Sequence, residues 1–404
     1  MGDRLRVPGL FFLALLVSFG TVWAFQRGGH DFDVFYHAWN LVLSGRGAEI
    51  YRNSPDRFLY APGFAWLLSP LGLLPRNASL ALWCLAKAGV VGYLASQLAG
   101  RARDFGLVAL GFLLLARPLL IDFQYGQVNL LILGACVWGL TRHFAAEERS
   151  PSIDALAWAA LGIAAVAKVF PLPLVLVPFA VPAAGRKASS ERLGVFAGVL
   201  LVLAIPFFAQ GWQGGLELLH GWREALAAKG LPLESHNQSF AAFLRHYFSD
   251  EATHVIGWGM IHEKIGLYPL QPSTLGALSV AWTLTFMGIL LAWILVAQGP
   301  KSSRAPREWI AILVALLILP SHLVWKPYFV FGLPAAVLAV DRARGRPWAQ
   351  AALALVFVTI NLTGFDFIGV RASGYIEAAA AMLWAYLLLL VVTVSPRGSS
   401  ASRD

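Results

Sequence analysis

The chain has 404 residues, 58% of them hydrophobic and only 13% charged, with a formal net charge of +9. A soluble globular domain carries about 25% charged residues, so a soluble enzyme or binding domain is excluded. The positive excess lies in short stretches between apolar runs, which is a topology pattern and not a nucleic-acid footprint. The apolar runs do not alternate polar and apolar residues as the strands of a membrane β-barrel do. The fold class is therefore all-α, a polytopic integral membrane protein.

Arg4 and Arg6 precede an apolar run from about Leu10 to Phe25 with no A-x-A cleavage site after it, so a retained first helix is expected over 9–25. A long segment, 26–77, follows and is rich in Trp, Tyr, Gly and His. Within it, 62–75 is bounded by Pro62, Pro70 and Pro75 and is expected to be re-entrant or interfacial. Crossing segments are then expected at 78–99, 105–121, 128–145, 153–168, 170–183 and 193–209. Pro171, Pro173, Pro178 and Pro182 deny 153–183 a regular backbone, which lipid tolerates only beside protein or a cavity. A second long segment, 210–273, separates these from 274–297, 308–320, 326–340, 348–362 and 375–394. The total is about 12 helices (roughly 10–13), each approaching or crossing a ~30 Å hydrocarbon layer. Residues 1–395 read as one domain without internal repeats, and 396–404 as a disordered tail. Cys84 and Cys136 both sit in apolar runs, with neither disulfide nor metal spacing.

With both termini in the cytoplasm, the basic loops fall on one side: Arg101/Arg103, Arg142/Arg149, Arg186/Lys187/Arg192, Lys301/Arg304/Arg307, Arg342/Arg344/Arg346 and Arg397/Arg403. The two long segments then lie outside, and so do the unusual polar residues. Asp31 and Asp33 follow the first helix. Gln124, Gln127 and Asn129 lie in the turn after the third, and Lys168 ends the fifth. His236, Asn237, Gln238, Ser239 and Arg245 lie in the long loop, and His322 and Lys326 precede the tenth. Scattered solvated residues would not gather at one face, so an outward-facing site is expected. Each element also has an ordinary reading. The aspartates pair with Arg27 or Arg46, Asn129 caps a helix, and Lys168 snorkels. Lys87 faces a packed interior, Asn237-Gln238-Ser239 is a glycosylation pattern, and His322 is structural.

In order along the chain stand Asp31-Phe32-Asp33-Val34-Phe35-Tyr36-His37-Ala38, Gly47-Ala48-Glu49-Ile50-Tyr51, Tyr60-Ala61-Pro62, Gly126-Gln127-Val128-Asn129, Lys168-Val169-Phe170-Pro171, and Asn237-Gln238-Ser239 with Arg245. This series, from about residue 25 to about 340, resembles the polyprenol-phosphate-mannose-dependent α-mannosyltransferases. These are glycosyltransferase family 87, within the GT-C superfamily of integral-membrane glycosyltransferases. Two departures stand out. Ala61 replaces the first proline of a Tyr-Pro-Pro element. Trp325-Lys326-Pro327 stands where the family often has Trp-x-His, so that histidine's role is lost, passed to Lys326 or taken by His322.

The resemblance implies a sugar, mannose by preference, moved from a polyprenyl-phosphate donor to a lipid or glycan acceptor at the outer face of the cell membrane. Membrane lipids would be partners and nucleic acid would not. In register Asp31 matches the proposed catalytic base, with Asp33 as second choice. Lys168, Arg245 and Lys326 are candidates for the donor phosphate. Tyr36, Tyr60, Gln127, Asn129, Asn237, Gln238 and His322 are candidates for the sugar and acceptor. No cofactor is implied, and a divalent metal is compatible but not required. The absence of a Gly-x-Gly-x-x-Gly turn or phosphate loop fits a lipid-phosphate donor over a nucleotide sugar. The competing readings are a transporter or lipid-linked sugar flippase, which would favour internal repeats and a mid-membrane site, and a non-catalytic sugar-lipid binding protein that would tolerate loss of Asp31.

Overall fold

The structure is a computed structural model that describes residues 2–52, 58–100, 104–144, 150–181, 188–256, 261–296 and 306–396. Helix α1 (Gly2–Arg27) ends at Gly28 and Gly29, both with positive φ, which turn the chain into α2 (His30–Leu43). The proline-bounded piece is α3 (Pro62–Leu68) followed by a 3-10 turn (Ser69–Leu73), and Pro75 starts α4 (Arg76–Ala99). Next come α5 (Phe105–Leu114) and α6 (Ala116–Tyr125), bent by 73° about Leu115, then α7 (Asn129–Phe144) and α8 (Pro151–Ala167). The expected 170–183 helix is instead a 3-10 turn (Leu172–Leu176) and the short α9 (Val177–Ala180). Its prolines remove amide donors, so no regular helix propagates. Pro182 lies outside the described residues.

Helix α10 (Ser189–Lys229) is broken at Gly211, whose φ of 72° and ψ of 176° are open to glycine and costly for other residues. The rest of the outer segment contains α11 (Phe240–Phe248) and an antiparallel hairpin, β1 (Thr253–Ile256) with β2 (Ile261–Glu263), pairing His254 with His262. The hairpin was not expected from the sequence. It is a small exception to an otherwise helical chain. Then follow α12 (Pro272–Val296), α13 (Pro306–Leu316), a 3-10 stretch (Lys326–Gly332) running into α14 (Leu333–Ala343), and α15 (Pro347–Phe357) with a π-helical end (Val358–Leu362). The chain closes with α16 (Phe365–Ile368), α17 (Val370–Ala378) and α18 (Ala381–Val394), the last two bent by 57°.

Among the described residues four helices are long and apolar enough to cross a membrane, within 7–27, 76–99, 189–229 and 272–295, and six if each bent pair counts as one span. The expectation of about 12 is not met on that measure. Other expected segments are present as shorter helices, such as 151–167, or as helices broken at prolines. In a bilayer such breaks are tolerable when neighbouring protein satisfies the backbone. Helix α8 packs closely along α10. A Cβ at Gly194 or Gly198 would lie 2.2 Å from the Ala155 carbonyl oxygen or 2.1 Å from that of Ala159, so the two backbones meet along a small-xxx-small seam. One apolar core, including Trp39, Trp158, Phe112, Phe329 and Tyr386, runs through the bundle.

Candidate active site

Asp31 and Asp33 both sit in the first turn of α2. Residues two apart on a helix do not share a face, and α2 buries Phe32, Phe35, Ala38 and Trp39. Asp33 therefore points outward. Its side chain is 51% exposed and holds Arg76 at 2.6 Å. Asp31 is turned toward the bundle, where the Gln127 side-chain amide donates to its Oδ2. Asp33 is thus a surface carboxylate, but its partner is Arg76 and neither of the expected Arg27 and Arg46; Arg46 binds Glu49.

Gln127 is placed by the end of α6. Gly126 takes φ 67°; its N–H bonds the Phe123 carbonyl at 2.9 Å and the Gln127 N–H bonds that of Asp122 at 3.0 Å, a Schellman closure. The turn is pinned by Trp83, whose indole N–H donates to the Gly126 carbonyl at 2.9 Å. Phe32 of α2 packs where a Cβ at Gly126 would be, 2.5 Å away, so α2 can approach only a glycine. That approach carries Asp31 to Gln127.

Behind Gln127 the polar groups form one chain. Asn129 Nδ2 donates to Asp122 Oδ2 at 3.1 Å and reaches Gln127 Oε1 at 3.5 Å. Asn129 Oδ1 accepts from Lys168 Nζ at 2.6 Å. A carboxylate only accepts and an ammonium only donates, so both ends fix the amide's orientation. Lys168 leaves the C-terminus of α8 and lies 4.0 Å from the Tyr328 ring centre and 5.7 Å from that of Tyr60. Asp122 is fully buried with Lys87. The ammonium donates to the Asp122 carbonyl at 2.6 Å and lies 2.7 Å from Oδ1 as an ionic, not directional, contact. Asp31, Gln127, Asn129 and Lys168 are thus gathered by four separate elements, with Tyr60 on the rim.

A second cluster adjoins it. Glu377 of α17 accepts from Lys326, from Arg117 Nη2 at 3.2 Å and from Ser373 at 3.1 Å, and its Oε2 lies 2.7 Å from His236 Nδ1. Tyr125, the last residue of α6, lies within electrostatic reach of Asp31, Arg27, Glu377 and Arg117.

Other expected residues are engaged in holding the scaffold. The Asn237 Oδ1 accepts the N–H groups of Val324 and Ser239 at 3.1 and 3.2 Å, and its Nδ2 faces the carbonyls of Pro232 and His322. Gln238 is buried and bonds the carbonyls of Ser235 and Glu377 and the N–H of Met382. Together they tie the loop to the segment before Lys326 and to α17 and α18. The Tyr36 hydroxyl donates to the Leu74 carbonyl at 2.9 Å. Arg245 pairs with Glu251 on the surface of α11 and joins neither cluster. The His322 side chain is exposed.

Sequence reading missed Asp122, Arg117, Glu377 and Tyr328, and gave Lys87 no role. Asp122 and Glu377 carried a signal, since each is a carboxylate beside an apolar run. Among the described residues no group of three or more His, Cys, Asp and Glu is gathered to hold a metal. An apolar groove of about 440 Å³ lies elsewhere, among Leu107, Leu110, Val340 and Leu353 beside the Asp104–Arg344 pair.

No curated protein and no solved structure matches the chain. The profile of glycosyltransferase family 87 matches residues 58–320. The match begins after Asp31 and Asp33, includes Gln127, Asn129, Lys168, Asn237, Gln238 and Arg245, and ends before Lys326 and Glu377. With its apolar spanning helices and a profile covering more than half its length, this membrane protein belongs to glycosyltransferase family 87.

Proposed function

We propose that the protein transfers a sugar, mannose by preference, from a polyprenyl-phosphate donor to a lipid or glycan acceptor at the outer face of the cytoplasmic membrane, with Asp31 as general base. The reading is carried by one observation: the Asp31 carboxylate is held by the Gln127 amide in a polar chain that ends on the Lys168 ammonium. A base and a cation are what displacement of a lipid phosphate requires at its two ends. Asp31 takes the proton of the acceptor hydroxyl, whose oxygen forms the new bond to the anomeric carbon. The bond from that carbon to the phosphate oxygen breaks, and its electron pair stays on the departing phosphate. General-base assistance of this kind contributes about 10²–10⁴-fold. A cation where water is scarce stabilises the charge that develops on the leaving group.

A single base with no carboxylate nucleophile implies one displacement and inversion, so a β-linked donor gives an α-linked product. Gln127 and Asn129 orient sugar hydroxyls as well as the base. Tyr60 and Tyr328 offer ring faces for the sugar. Asn237 and Gln238 serve by fixing the Lys326 segment.

The test is transfer from polyprenyl-phosphate mannose into a membrane lipid extract by purified wild-type, Asp31→Asn and Asp33→Asn protein. Activity is expected to fall by about 10²-fold or more in Asp31→Asn. Asp33→Asn loses only a surface pair, worth about 0–1 kcal/mol, and should keep most of it. Full activity of Asp31→Asn would remove the base assignment, and no transfer from this donor by wild type would remove the donor.

A further inference from the structure

We propose that two adjoining apolar grooves on either side of α5, at the end of the bundle away from Asp31, seat the two acyl chains of an anionic phospholipid whose headgroup lies against Arg344. The site is separate from the sugar-transfer chamber and does not rest on the function proposed above.

The argument begins with helix packing. Helix α5 is wedged between α1 and α14. A Cβ at Gly9 of α1 would lie 2.4 Å from the Phe105 carbonyl oxygen, and one at Gly111 of α5 would lie 2.6 Å from the Val337 side chain. Beside these close crossings the surface is grooved. A groove of about 440 Å³ runs between α5, α14 and α15, lined by Leu107, Leu114, Val340, Leu353 and Phe357. A second, of about 240 Å³, runs between α5 and α1, lined by Pro8, Phe12 and Ala109. Gly106, Leu110 and Leu113 line both, and Leu110, 51% exposed, is the crest between them. Packed interiors leave few voids larger than a water molecule. Two apolar grooves sharing one crest match the two chains of a diacyl lipid.

Depth agrees. Helix α5 has 10 residues, about 15 Å at 1.5 Å per residue. That is half of a ~30 Å hydrocarbon layer, the depth of one leaflet. At Leu115 the chain bends by 73° into α6, and among the described residues no part of α6 lines either groove. The grooves thus stop where the acyl chains of one leaflet stop. At their other end Trp348 is exposed, with the Arg346 guanidinium 4.8 Å from its ring centre. Trp and Arg together mark a membrane–water boundary.

Charge selects the headgroup. The mouth of the larger groove holds Asp104, Arg344 and Gln350. Arg344 is 57% exposed and its Nη2 donates to Asp104 Oδ2 at 3.0 Å. Asp104 Oδ1 is taken by the Leu107 N–H at 3.1 Å. A guanidinium has five N–H donors in a planar fork suited to phosphate oxygens, so Arg344 keeps donors for a ligand. Arg307 lies against Gly100, and Arg346 donates to Ser395 and to the Pro396 carbonyl; among the described residues neither pairs with a carboxylate. This surplus of positive charge favours an anionic headgroup, as basic pockets between spanning helices do. A zwitterionic headgroup brings its own cation and balances less. The seated lipid braces α5, which runs through the bend into α6 and so to Gly126 and Gln127.

The experiment is titration of the purified full chain in neutral detergent with phosphatidylglycerol, phosphatidylcholine of the same chains, and single-chain lysophosphatidylglycerol, with bound lipid counted by native mass spectrometry. Phosphatidylglycerol is expected to bind on the order of tenfold more tightly than phosphatidylcholine, and Arg344→Gln to lose that preference. Lysophosphatidylglycerol should bind on the order of tenfold or more weakly than the two-chain lipid, because one groove stays empty. Ala354→Trp fills the larger groove from an exposed position without touching the ion pair, and should weaken binding of both two-chain lipids. Leu284→Trp, on the exposed face of α12, should bind as wild type. If Arg344→Gln fails to fold, Ala354→Trp and the headgroup comparison carry the test. Equal binding of phosphatidylglycerol and phosphatidylcholine overturns the proposal, as does equal binding of the one-chain and two-chain lipids, or an Arg344→Gln protein that keeps the full preference. A lipid-free dimer that Ala354→Trp dissociates would assign the grooves to a second copy of the chain and overturn it too. Lipid counting involves no turnover, so its outcome is independent of whether the chain transfers mannose.

Discussion

Asp122 touches no atom that a substrate would reach, yet it decides how the groups in front of it point. Its Oδ2 takes the Asn129 amide N–H, so the Asn129 oxygen faces Lys168 and its second N–H faces Gln127, whose own amide N–H then faces Asp31. Replacing Asp122 by Asn removes that directionality and strips Lys87 of its counter-charge inside a fully buried site. Breaking such a pair costs about 3–5 kcal/mol. Asp122→Asn is expected to lower the melting temperature in detergent and to lose transfer. Adding Lys87→Met should recover most of the stability but not the turnover, because Asn129 is still free to flip. Recovery of both by the double variant would reduce Asp122 to a structural partner. The individual residues were legible in the sequence in part. Asp31, Gln127, Asn129 and Lys168 stood out as polar groups at one end of apolar runs. The pairing of Arg117 with Glu377 was not legible, because they lie 260 positions apart and only the folded chain brings them together.

Apolar runs made the long helices legible, since length and hydropathy are local properties. The breaks were not. The chain bends at Leu115, takes a positive φ of 51° at Ala380 and kinks at Gly211, all within or between apolar runs. The helix in 30–43 was also hidden, because its apolar residues are interleaved with polar ones. The seam between α8 and α10 had a sequence signature, Gly194-x-x-x-Gly198, that acquires meaning only with Ala155 and Ala159 opposite. This seam positions the site, because α8 carries Lys168 at its end. Gly198→Val places a branched side chain where a Cβ alone would be 2.1 Å from the Ala159 carbonyl oxygen. The helices must separate, at a cost of about 1–3 kcal/mol or more. A lower melting temperature is expected, together with a larger loss of kcat than of donor affinity as Lys168 shifts. The same substitution at Gly89, where a Cβ meets nothing within 4 Å, should be nearly silent; equal damage at both positions would sink the account.

Across the whole molecule the polar groups divide between two ends. Helix α7 begins at Asn129 in the candidate site and ends at Arg142 and His143, which pair with Asp154 and Glu191. Helix α8 returns from Asp154 to Lys168. Its neighbours do likewise. Asp104 before α5 pairs with Arg344 after α14, and Glu308 in α13 pairs with Arg342. A 16-residue helix such as α7 separates the two ends by about 24 Å at 1.5 Å per residue. Of the basic-loop residues, Arg142, Arg192, Arg307, Arg342, Arg344 and Arg346 are described and lie at the end away from Asp31; Arg101, Arg103, Arg149, Arg186, Lys187, Lys301, Arg304, Arg397 and Arg403 lie outside the described residues. Basic residues favour the cytoplasmic side, so the site end should face out. Cys84 and Cys136 are buried, which leaves a quiet background for labelling. Asp250, 81% exposed beside α11, and Arg344, 57% exposed at the opposite end, are suitable positions for single cysteines. A membrane-impermeant maleimide applied to intact cells is expected to label Asp250→Cys at once and Arg344→Cys only after lysis. The opposite pattern would invert the protein and put Asp31 on the cytoplasmic side, where a lipid-linked donor would have to present its sugar inward. Labelling of both in intact cells would remove the division into two ends from which the outward-facing site was argued.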